Sequence, residues 1–369
     1  MRRAVAVALG LALALAGVEL AVRVVAPQGV GRGGGLLRGP LTVPGDHHVP
    51  FQGRDLTLHV NRDGFVDDEW GPPAGPEIAV IGDSFVQAAQ VAPGEGYGPR
   101  LEGALRAAGI AVDVRSMGVP GAGTATALGV LRAYALPRRP AMVILGFLVA
   151  NDVLNNHPLL EGKDDKPFYS LRNGVLVPTD AEAAAAPGPL WAWSHGWRWA
   201  TRAWAKRRAV DRKLALGGGL PIDLRVHDPA CAEGAPRSAS DVDRCAVWDD
   251  GWAVTGALIA EMARACGETP LHVVLFPDRA QVEGDPGWEG ARGWDLTVAQ
   301  ARAARVAGAN APVVDLLPAL RARRHAAPLY LHADGHWTAA GHHAAAEATA
   351  AALLDDVRAV VSGAPQPPR

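Results

Sequence analysis

Four polar motifs in the sequence contain the residue types that cleave or transfer an ester. A Gly-Asp-Ser motif ends at Ser84, a glycine-rich turn contains Gly121, an Asn-Asp pair begins at Asn151, and an Asp-Gly-His motif joins Asp334 to His336. Ester chemistry needs a nucleophile, a base that takes its proton, and hydrogen-bond donors for the oxyanion of the tetrahedral intermediate. These motifs supply a hydroxyl, an imidazole, a carboxamide and a glycine N–H group.

Ser84 and His336 are the candidates for nucleophile and general base. Ser84 is predicted at the start of a helix that follows a strand, where backbone N–H groups are free to bind an anion. A carboxylate must orient the imidazole, and Asp334 is the nearest one in the sequence. Asp278 and Asp315, which follow other predicted strands, remain alternatives for this orienting role.

Gly121 and Asn151 are the candidates for oxyanion donors, together with the N–H of Ser84. A glycine has no side chain, so its N–H can approach a substrate closely. An asparagine carboxamide can donate to the same oxygen. The predicted site therefore consists of Ser84, His336, Asp334, Gly121 and Asn151.

Short apolar segments alternate with helical patterns along the chain. The segments of strand length lie at 78–81, 110–114, 142–147, 271–276 and 313–316. The helical patterns include a stripe through Tyr97, Leu101 and Leu105 and the ranges 251–265, 291–307 and 338–356. This alternation predicts an α/β fold, with a parallel sheet of about five strands covered on both faces. Ligands bind beyond the carboxyl ends of such strands, which is where all four motifs are predicted to meet.

The four motifs, in this order, resemble those of the SGNH hydrolases, the GDSL-type esterase and lipase superfamily. The resemblance covers roughly residues 76–154 and 268–356. It implies a three-layer α/β/α, flavodoxin-like fold, with Ser84 as nucleophile, His336 as base, and the Ser84 N–H, the Gly121 N–H and the Asn151 side chain as the oxyanion hole. The spacing of Asp334 and His336, followed by tryptophan, resembles SGNH members of polysaccharide O-acetylation systems.

The chain is predicted to contain four regions. Residues 1–26 form a signal anchor or signal peptide, 27–75 a linker and N-terminal extension, 76–356 the hydrolase-like domain, and 357–369 a flexible tail. A long insertion at about 157–248 interrupts the domain after its third strand. It is rich in tryptophan and basic residues, which suit either a membrane surface, a substrate groove or an amphipathic helix packed on the domain.

The N-terminal segment predicts export. Arg2 and Arg3 precede an apolar run that begins at Ala4 and, apart from Glu19 and Arg23, continues to about residue 26. Basic residues before an apolar run place the N-terminus in the cytoplasm and the rest of the chain on the other side. An uncleaved membrane anchor is the favoured interpretation, and a cleavable signal peptide is the alternative.

The cysteines agree with an exported chain. In an oxidising compartment Cys231 and Cys245 could close the polar loop between them, while Cys266 is expected to be a small buried residue in a helix. Pairing and non-pairing of Cys231 and Cys245 both remain open.

Composition narrows the classes of function. The chain has 369 residues, of which 49% are apolar and 20% charged, so a wholly disordered protein is excluded. The formal net charge of −2 provides no global positive field, so a nucleic-acid partner is not expected. No cofactor and no metal are predicted, although a histidine cluster around His336 leaves metal catalysis as a minor alternative. The oligomeric state has no signal in the sequence.

The leading hypothesis is a serine esterase acting on an acyl ester, with O-acetyl groups on a glycan as one class of substrate. An O-acyltransferase with the same site is the first alternative, since an acyl-enzyme at Ser84 is common to both. A non-catalytic glycan-binding or assembly protein is the second.

Overall fold

The computed structural model of the chain describes residues 2–25, 37, 40–161, 166–179, 194, 196, 207, 222–239, 241–284 and 286–362. The strands are β1 (Gly45–Phe51), β2 (Arg54–Val60), β3 (Glu77–Gly82), β4 (Asp113–Gly118), β5 (Met142–Leu148), β6 (Tyr169–Arg172), β7 (Val175–Pro178), β8 (Leu271–Phe276) and β9 (Val313–Asp315). The α-helices are α1 (Arg2–Val25), α2 (Ser84–Gln87), α3 (Tyr97–Ala107), α4 (Thr124–Val130), α5 (Asp152–Asn155), α6 (Pro158–Glu161), α7 (Val242–Cys266), α8 (Arg279–Glu283), α9 (Val298–Gly308), α10 (Leu317–Arg323) and α11 (Ala339–Ser362).

The central sheet has five parallel strands in the order β4-β3-β5-β8-β9. The first strand of the sheet in sequence, β3, thus has the second on one side and the third on the other, the flavodoxin-like order. The predicted α/β class and strand number are confirmed. After β3, the next strand β4 is added on one side of it and the following strand β5 on the other. At such a switch point the loops that leave the neighbouring strands diverge and open a crevice at the carboxyl ends of the strands.

Alternate residues of each central strand enter two separate cores. Ala79 and Ile81 of β3 belong to the core under α4, α7 and α9. Ile78 and Val80 belong to the opposite core, under α3 and α11. Side chains of a strand point to opposite faces in turn, and all of these positions are buried. The predicted helical stripe is also buried. Tyr97, Leu101 and Leu105 of α3 all belong to the second of these cores.

The second strand of the sheet begins later than the sequence predicts. The prediction places it at 110–114, whereas β4 runs from Asp113 to Gly118. Ile110 and Val112 are buried in the connection before the strand. β4 lies at the edge of the sheet and includes Arg115, which pairs with Glu77 at 2.8 Å. Apolar content alone therefore misplaces a strand that carries paired charges along an edge.

The predicted N-terminal extension packs onto the domain. β1 and β2 form an antiparallel hairpin, and the segment after it buries Phe65 and Trp70 in the core. The Asp67 carboxylate accepts hydrogen bonds from the Ser116 backbone N–H at 2.8 Å and the Trp70 indole N–H at 2.9 Å. Burial raises the pKa of Asp67 to about 6. At the other end of the chain, α11 continues past residue 356 to Ser362.

Membrane attachment stays a prediction. Within the described ranges, no helix combines the length and the apolar character needed to cross a membrane. The tryptophans of the insertion, Trp191, Trp193, Trp197, Trp199 and Trp204, lie outside the described residues.

The insertion is fastened to the domain by a disulfide bond. Cys231 and Cys245 are bonded, with their Cα atoms 4.9 Å apart, and this settles the pairing that the sequence leaves open. The bond joins a 3₁₀ turn, Pro229–Cys231, to the first turns of α7. Cys266 is free and buried in α7, as predicted, and burial raises the pKa of its thiol to about 11.

Candidate active site

Ser84 and His336 meet at the carboxyl edge of the sheet. The Oγ atom of Ser84 lies 2.8 Å from Nε2 of His336. Ser84 begins α2, directly after β3, and His336 lies in the loop before α11. A hydroxyl and an imidazole at this distance form the hydrogen bond through which a general base activates a serine.

The turn before Ser84 depends on a glycine and an aspartate. A Cβ atom at Gly82 would stand 2.5 Å from Cγ2 of Val86 and 3.0 Å from the Gly146 carbonyl oxygen, so a side chain does not fit there. Asp83 caps α2, because its Oδ1 accepts a hydrogen bond from the Phe85 N–H at 2.9 Å. Asp83 therefore has a structural role, since it holds this loop through a backbone N–H. Together the two residues turn the chain so that Ser84 stands at the start of the helix.

The loop that carries His336 is held by its own backbone. The N–H of Leu331 donates to the His336 carbonyl oxygen at 2.7 Å, and the N–H of Gly335 donates to the Leu331 carbonyl oxygen at 2.9 Å. Gly335 has φ +76°, a conformation that favours glycine. The Phe85 ring centroid lies 5.0 Å from that of His336, and Phe85 itself packs edge-on against buried Trp337. These contacts fix the imidazole from two sides.

Asp334 is the carboxylate that faces the histidine. Its Oδ2 lies 3.3 Å from Nδ1 of His336, and its Oδ1 accepts a hydrogen bond from the His336 backbone N–H at 3.1 Å. The Nδ1 contact is close but lacks the alignment of a full hydrogen bond. The turn formed by the Oδ1 bond explains how an aspartate only two residues before the histidine reaches the ring.

The two alternative carboxylates are engaged elsewhere. Oδ2 of Asp278 lies 2.9 Å from Nε2 of His227, in the insertion. Asp315 accepts hydrogen bonds from the Gln300 side chain at 2.6 Å and the Leu317 N–H at 2.9 Å. Neither contacts His336 in the described structure, so Asp334 is the residue placed to orient the imidazole.

The surroundings of His336 favour the neutral imidazole. Burial lowers the pKa of His336 below its ordinary value, and the negative charge of Asp334 offsets part of this effect. A neutral ring with Nδ1–H directed to the carboxylate leaves the Nε2 lone pair free to accept the Ser84 proton. The site is therefore in the protonation state that a general base needs at neutral pH.

The predicted oxyanion donors lie on the loops that follow β4 and β5, the two strands adjacent to β3. Gly121 has φ +63° in the turn after β4, and Val119 of that turn donates its N–H to the Gly82 carbonyl oxygen at 2.9 Å. Asn151 follows β5, and its side chain lowers the pKa of the neighbouring Asp83 carboxyl, against the larger effect of burial. No backbone acceptor takes the N–H of Ser84 or of Gly121 within the described part of the chain. Both amides are thus available to a substrate oxygen.

Two buried carboxyl groups lie behind these donors. Asp83 and Asp152 are both almost completely buried, and burial raises the pKa of each. The charge of Asp83 raises the pKa of Asp152 further. Oδ2 of Asp152 accepts a hydrogen bond from the Leu148 N–H at 3.1 Å, so this carboxylate contacts the end of β5.

Lys166 of the insertion is a site residue that sequence reasoning misses. Its Nζ atom donates to the Gly121 carbonyl oxygen at 2.6 Å. It lies just after a run of charged residues at 161–165, a pattern that is typical of a solvated loop. Nothing in the local spacing indicates that this lysine turns back to the active site.

The histidines near His336 do not form a recognisable metal site. His342 is buried against Trp337, with ring centroids 5.4 Å apart, and Nδ1 of His332 contacts Arg279 at 3.1 Å. Among the residues that the structure describes, no group of three or more His, Cys, Asp or Glu side chains is arranged to hold a metal ion.

The matched family agrees with this site. Residues 252–366, which include His336 and Asp334, match the SGNH hydrolase-like domain of the acetyltransferase AlgX. Residues 252–366 are thus an SGNH hydrolase-like domain. The resemblance read from its four motifs is thereby confirmed. No curated protein matches the chain.

Several solved structures are similar to this chain at low identity. TesA is 15% identical, with 75% of this chain and 98% of that chain covered and a TM-score of 0.40. The lipase/acylhydrolase from Enterococcus faecalis is 16% identical, with 76% and 96% covered and a TM-score of 0.38. AlinE4, an SGNH-hydrolase family esterase, is 16% identical, with 80% and 100% covered and a TM-score of 0.34. Nothing about the activity of this chain rests on these distant similarities.

Proposed function

We propose that the protein is a serine esterase that forms an acyl-enzyme at Ser84. The observation that carries this proposal is the 2.8 Å contact between the Ser84 hydroxyl and Nε2 of His336. Helix capping, the common structural role of a serine at this position, does not account for the contact. Asp83 already caps the helix, so the Ser84 hydroxyl is left for the imidazole.

Acylation follows from the geometry. His336 Nε2 takes the Ser84 proton as Oγ attacks the ester carbonyl carbon, and Asp334 stabilises the imidazolium that forms. The carbonyl oxygen becomes an oxyanion, which the N–H groups of Ser84 and Gly121 and the amide of Asn151 bind. The imidazolium then gives its proton to the leaving alkoxide as the ester C–O bond breaks, and the acyl group remains on Ser84.

Deacylation decides between hydrolysis and transfer. If water gives its proton to His336 and attacks the acyl-enzyme, the product is a free carboxylic acid. If a sugar hydroxyl does so, the product is a new ester. The match of residues 252–366 to a domain described as acetyltransferase AlgX favours O-acetyl transfer to a glycan as the second candidate.

Two measurements test the proposal. Stoichiometric labelling of wild-type protein by a fluorophosphonate, absent in Ser84→Ala, is expected for an activated serine. Hydrolysis of a model acetyl ester by the wild-type protein should likewise be lost in Ser84→Ala. A wild-type protein that neither labels nor hydrolyses would instead favour the non-catalytic glycan-binding alternative.

Product analysis separates the two acyl acceptors. The enzyme is incubated with an acetyl donor ester, with and without a polysaccharide. Free acetate in equal amounts under both conditions supports hydrolysis. Acetylated polysaccharide formed at the expense of free acetate supports transfer, and Ser84→Ala is the control for non-enzymatic exchange.

We also propose that the chain works outside the cytoplasm, held to a membrane by residues 1–26. The Cys231–Cys245 bond supports export, because disulfides persist in oxidising compartments. Fractionation of cells, followed by mass measurement of the N-terminus, would show whether the segment is retained. Full-length protein in the membrane fraction is expected, and a soluble form that lacks the N-terminal apolar segment would indicate cleavage instead.

A further inference from the structure

Lys166, a residue of the insertion, contacts the turn that carries Gly121. The Nζ atom of Lys166 donates to the Gly121 carbonyl oxygen at 2.6 Å and to Oδ1 of Asn155 at 2.8 Å, and it pairs with Oε1 of Glu161 at 2.9 Å. Only 12% of the Lys166 side chain and 4% of the Glu161 side chain are exposed. A buried ammonium needs such partners, because its desolvation is otherwise costly.

The contact with Gly121 bears on the predicted oxyanion hole. Gly121 is in the left-handed region, with φ +63°, and the freedom of a glycine lets its peptide groups rotate easily. A hydrogen bond to the Gly121 carbonyl holds the peptide between Gly121 and Ala122, whose N–H also donates to the Val119 carbonyl oxygen at 2.9 Å. Holding this peptide restricts rotation about ψ of Gly121, one of the two rotations by which its own N–H could turn away from the site. Charge assistance makes this bond stronger than one between neutral groups.

The other end of the same turn is also held. Oδ1 of Asn156 accepts a hydrogen bond from the Ala125 N–H at 3.1 Å, and its Nδ2 donates to Thr124 Oγ1 at 3.0 Å. Asn155 and Asn156 therefore connect the turn at 121–125 to the loop after β5. Lys166 supplies the remaining attachment, at Gly121 itself.

The charge of Lys166 also reaches the buried carboxyl groups. It lowers the pKa of both Asp83 and Asp152, against the larger effect of burial. Asp83 directly precedes Ser84 and Asp152 directly follows Asn151, so the charge of the lysine acts on the loops that carry both residues.

We propose that Lys166 is a positioning residue, which holds Gly121 so that its N–H points at the oxyanion and thereby couples the insertion to catalysis. This inference rests on the proposed function of the site. A lysine that only stabilises the fold would change the melting temperature and leave the rate of the folded enzyme unchanged.

Kinetics of Lys166→Met provide the first test. We expect kcat for a model acetyl ester to fall about 10- to 100-fold with little change in KM, because a misdirected donor loses part of the 10²–10³ that a deleted one costs. Lys166→Arg keeps the charge and is expected to recover part of the rate. Arg106→Met is the matched control, since it removes an exposed cation paired with Asp113 far from the site and should leave kcat unchanged. Folded Lys166→Met with wild-type kcat would overturn the proposal.

A double-mutant cycle separates action through Gly121 from an independent effect. Gly121→Ala introduces a residue that avoids φ +63° and should also misdirect the N–H. If both changes act on the same donor, the double variant should be only slightly slower than the slower single variant. Rate losses that multiply would show that Lys166 does not work through Gly121. If Lys166→Met does not fold, the same cycle with Glu161→Gln, which loosens the lysine, decides the question.

Hydrogen exchange tests the inference even if the protein is not an esterase. Amides of the segment 119–125 should exchange faster in Lys166→Met than in wild type, whereas those of β8, a buried interior strand of the sheet, should not change. Wild-type protein that ignores a fluorophosphonate would refute the proposed function alone. Unchanged exchange at 119–125 would refute the role of Lys166 alone.

Discussion

Asp334 contacts His336 both at the ring and at the backbone. Its Oδ2 lies 3.3 Å from Nδ1, and its Oδ1 accepts the His336 N–H at 3.1 Å. One carboxylate therefore shapes the turn that presents the histidine and also faces the imidazole that it would orient. The arrangement makes the contribution of Asp334 measurable, because the pH dependence of catalysis reports the state of His336.

Replacement of Asp334 by asparagine should slow the enzyme and move its pH profile. The acid limb of kcat/KM reports the pKa of the free base, which burial places below 6.5 in the wild type. Asp334 raises that pKa, so Asp334→Asn should shift the limb to still lower pH while the plateau falls. Because the carboxylate is partly exposed, a loss of about 10- to 100-fold is expected, less than the ~10⁴ known for a buried triad aspartate.

Asp315→Asn is the control for this experiment. Asp315 lies at the end of β9 and accepts hydrogen bonds from Gln300 and Leu317, without contact to the imidazole. Its replacement should leave the acid limb in place. A limb that moved in Asp315→Asn and stayed fixed in Asp334→Asn would reassign the orienting carboxylate.

Removal of the Asn151 side chain should lower kcat more than it changes KM. The oxyanion exists only in the transition state and intermediate, so a lost donor costs about 10²–10³ in kcat. Steady-state kinetics of Asn151→Ala test this. Asn61→Ala is a useful comparison, because Asn61 holds a turn of the N-terminal extension by accepting the Phe65 N–H at 3.1 Å. Equal effects of the two changes on kcat would contradict the role of Asn151.

Loss of the Cys231–Cys245 bond should destabilise the protein without removing the site. The bond closes a loop with a sequence separation of 14, for which chain entropy predicts about 3 kcal/mol of stabilisation. Paired replacement by serine should therefore lower the denaturant midpoint. Cys266→Ala, at the free and buried cysteine, keeps the bond, so reductant should lower its denaturant midpoint as in the wild type, whereas the paired serine variant should not respond. Wild-type stability that reductant leaves unchanged would show that the bond contributes nothing.

His342 should make the protein less stable in acid. Burial lowers its pKa to about 3, and the neighbouring His336 acts in the same direction. The unfolded chain, with a pKa of 6.5 for this group, binds the proton more readily than the folded one. The contribution of neutral His342 to the free energy of unfolding is therefore complete above pH 6.5. It declines as the pH falls toward 3, by about 2 kcal/mol at pH 5.

Denaturation of wild type and His342→Leu at pH 7.5 and pH 5 measures this contribution. The leucine variant lacks the titrating group, so its stability should fall less between the two pH values. His47→Leu, which replaces a histidine in β1 on the surface hairpin, should follow the wild type. A parallel decline in wild type and His342→Leu would contradict the assignment.

The sequence by itself was enough to predict the candidate site residues and the order of the strands and helices that carry them. The candidate residues could be identified because each lies next to a strand or helix that is predicted from the spacing of apolar residues within a short window of sequence. They are Ser84, Gly121, Asn151 and His336. Parallel strands then bring such residues to one edge, whatever the details of packing.

Only the tertiary structure decided which groups act on those residues. Asp334, rather than Asp278 or Asp315, faces the imidazole. Lys166 contacts Gly121 from an insertion whose apolar residues show no regular spacing. Contacts of this kind depend on how distant segments pack and on which charges burial forces to pair. The spacing of residues along the chain encodes the elements, whereas the pairing of buried charges is fixed only when those elements come together.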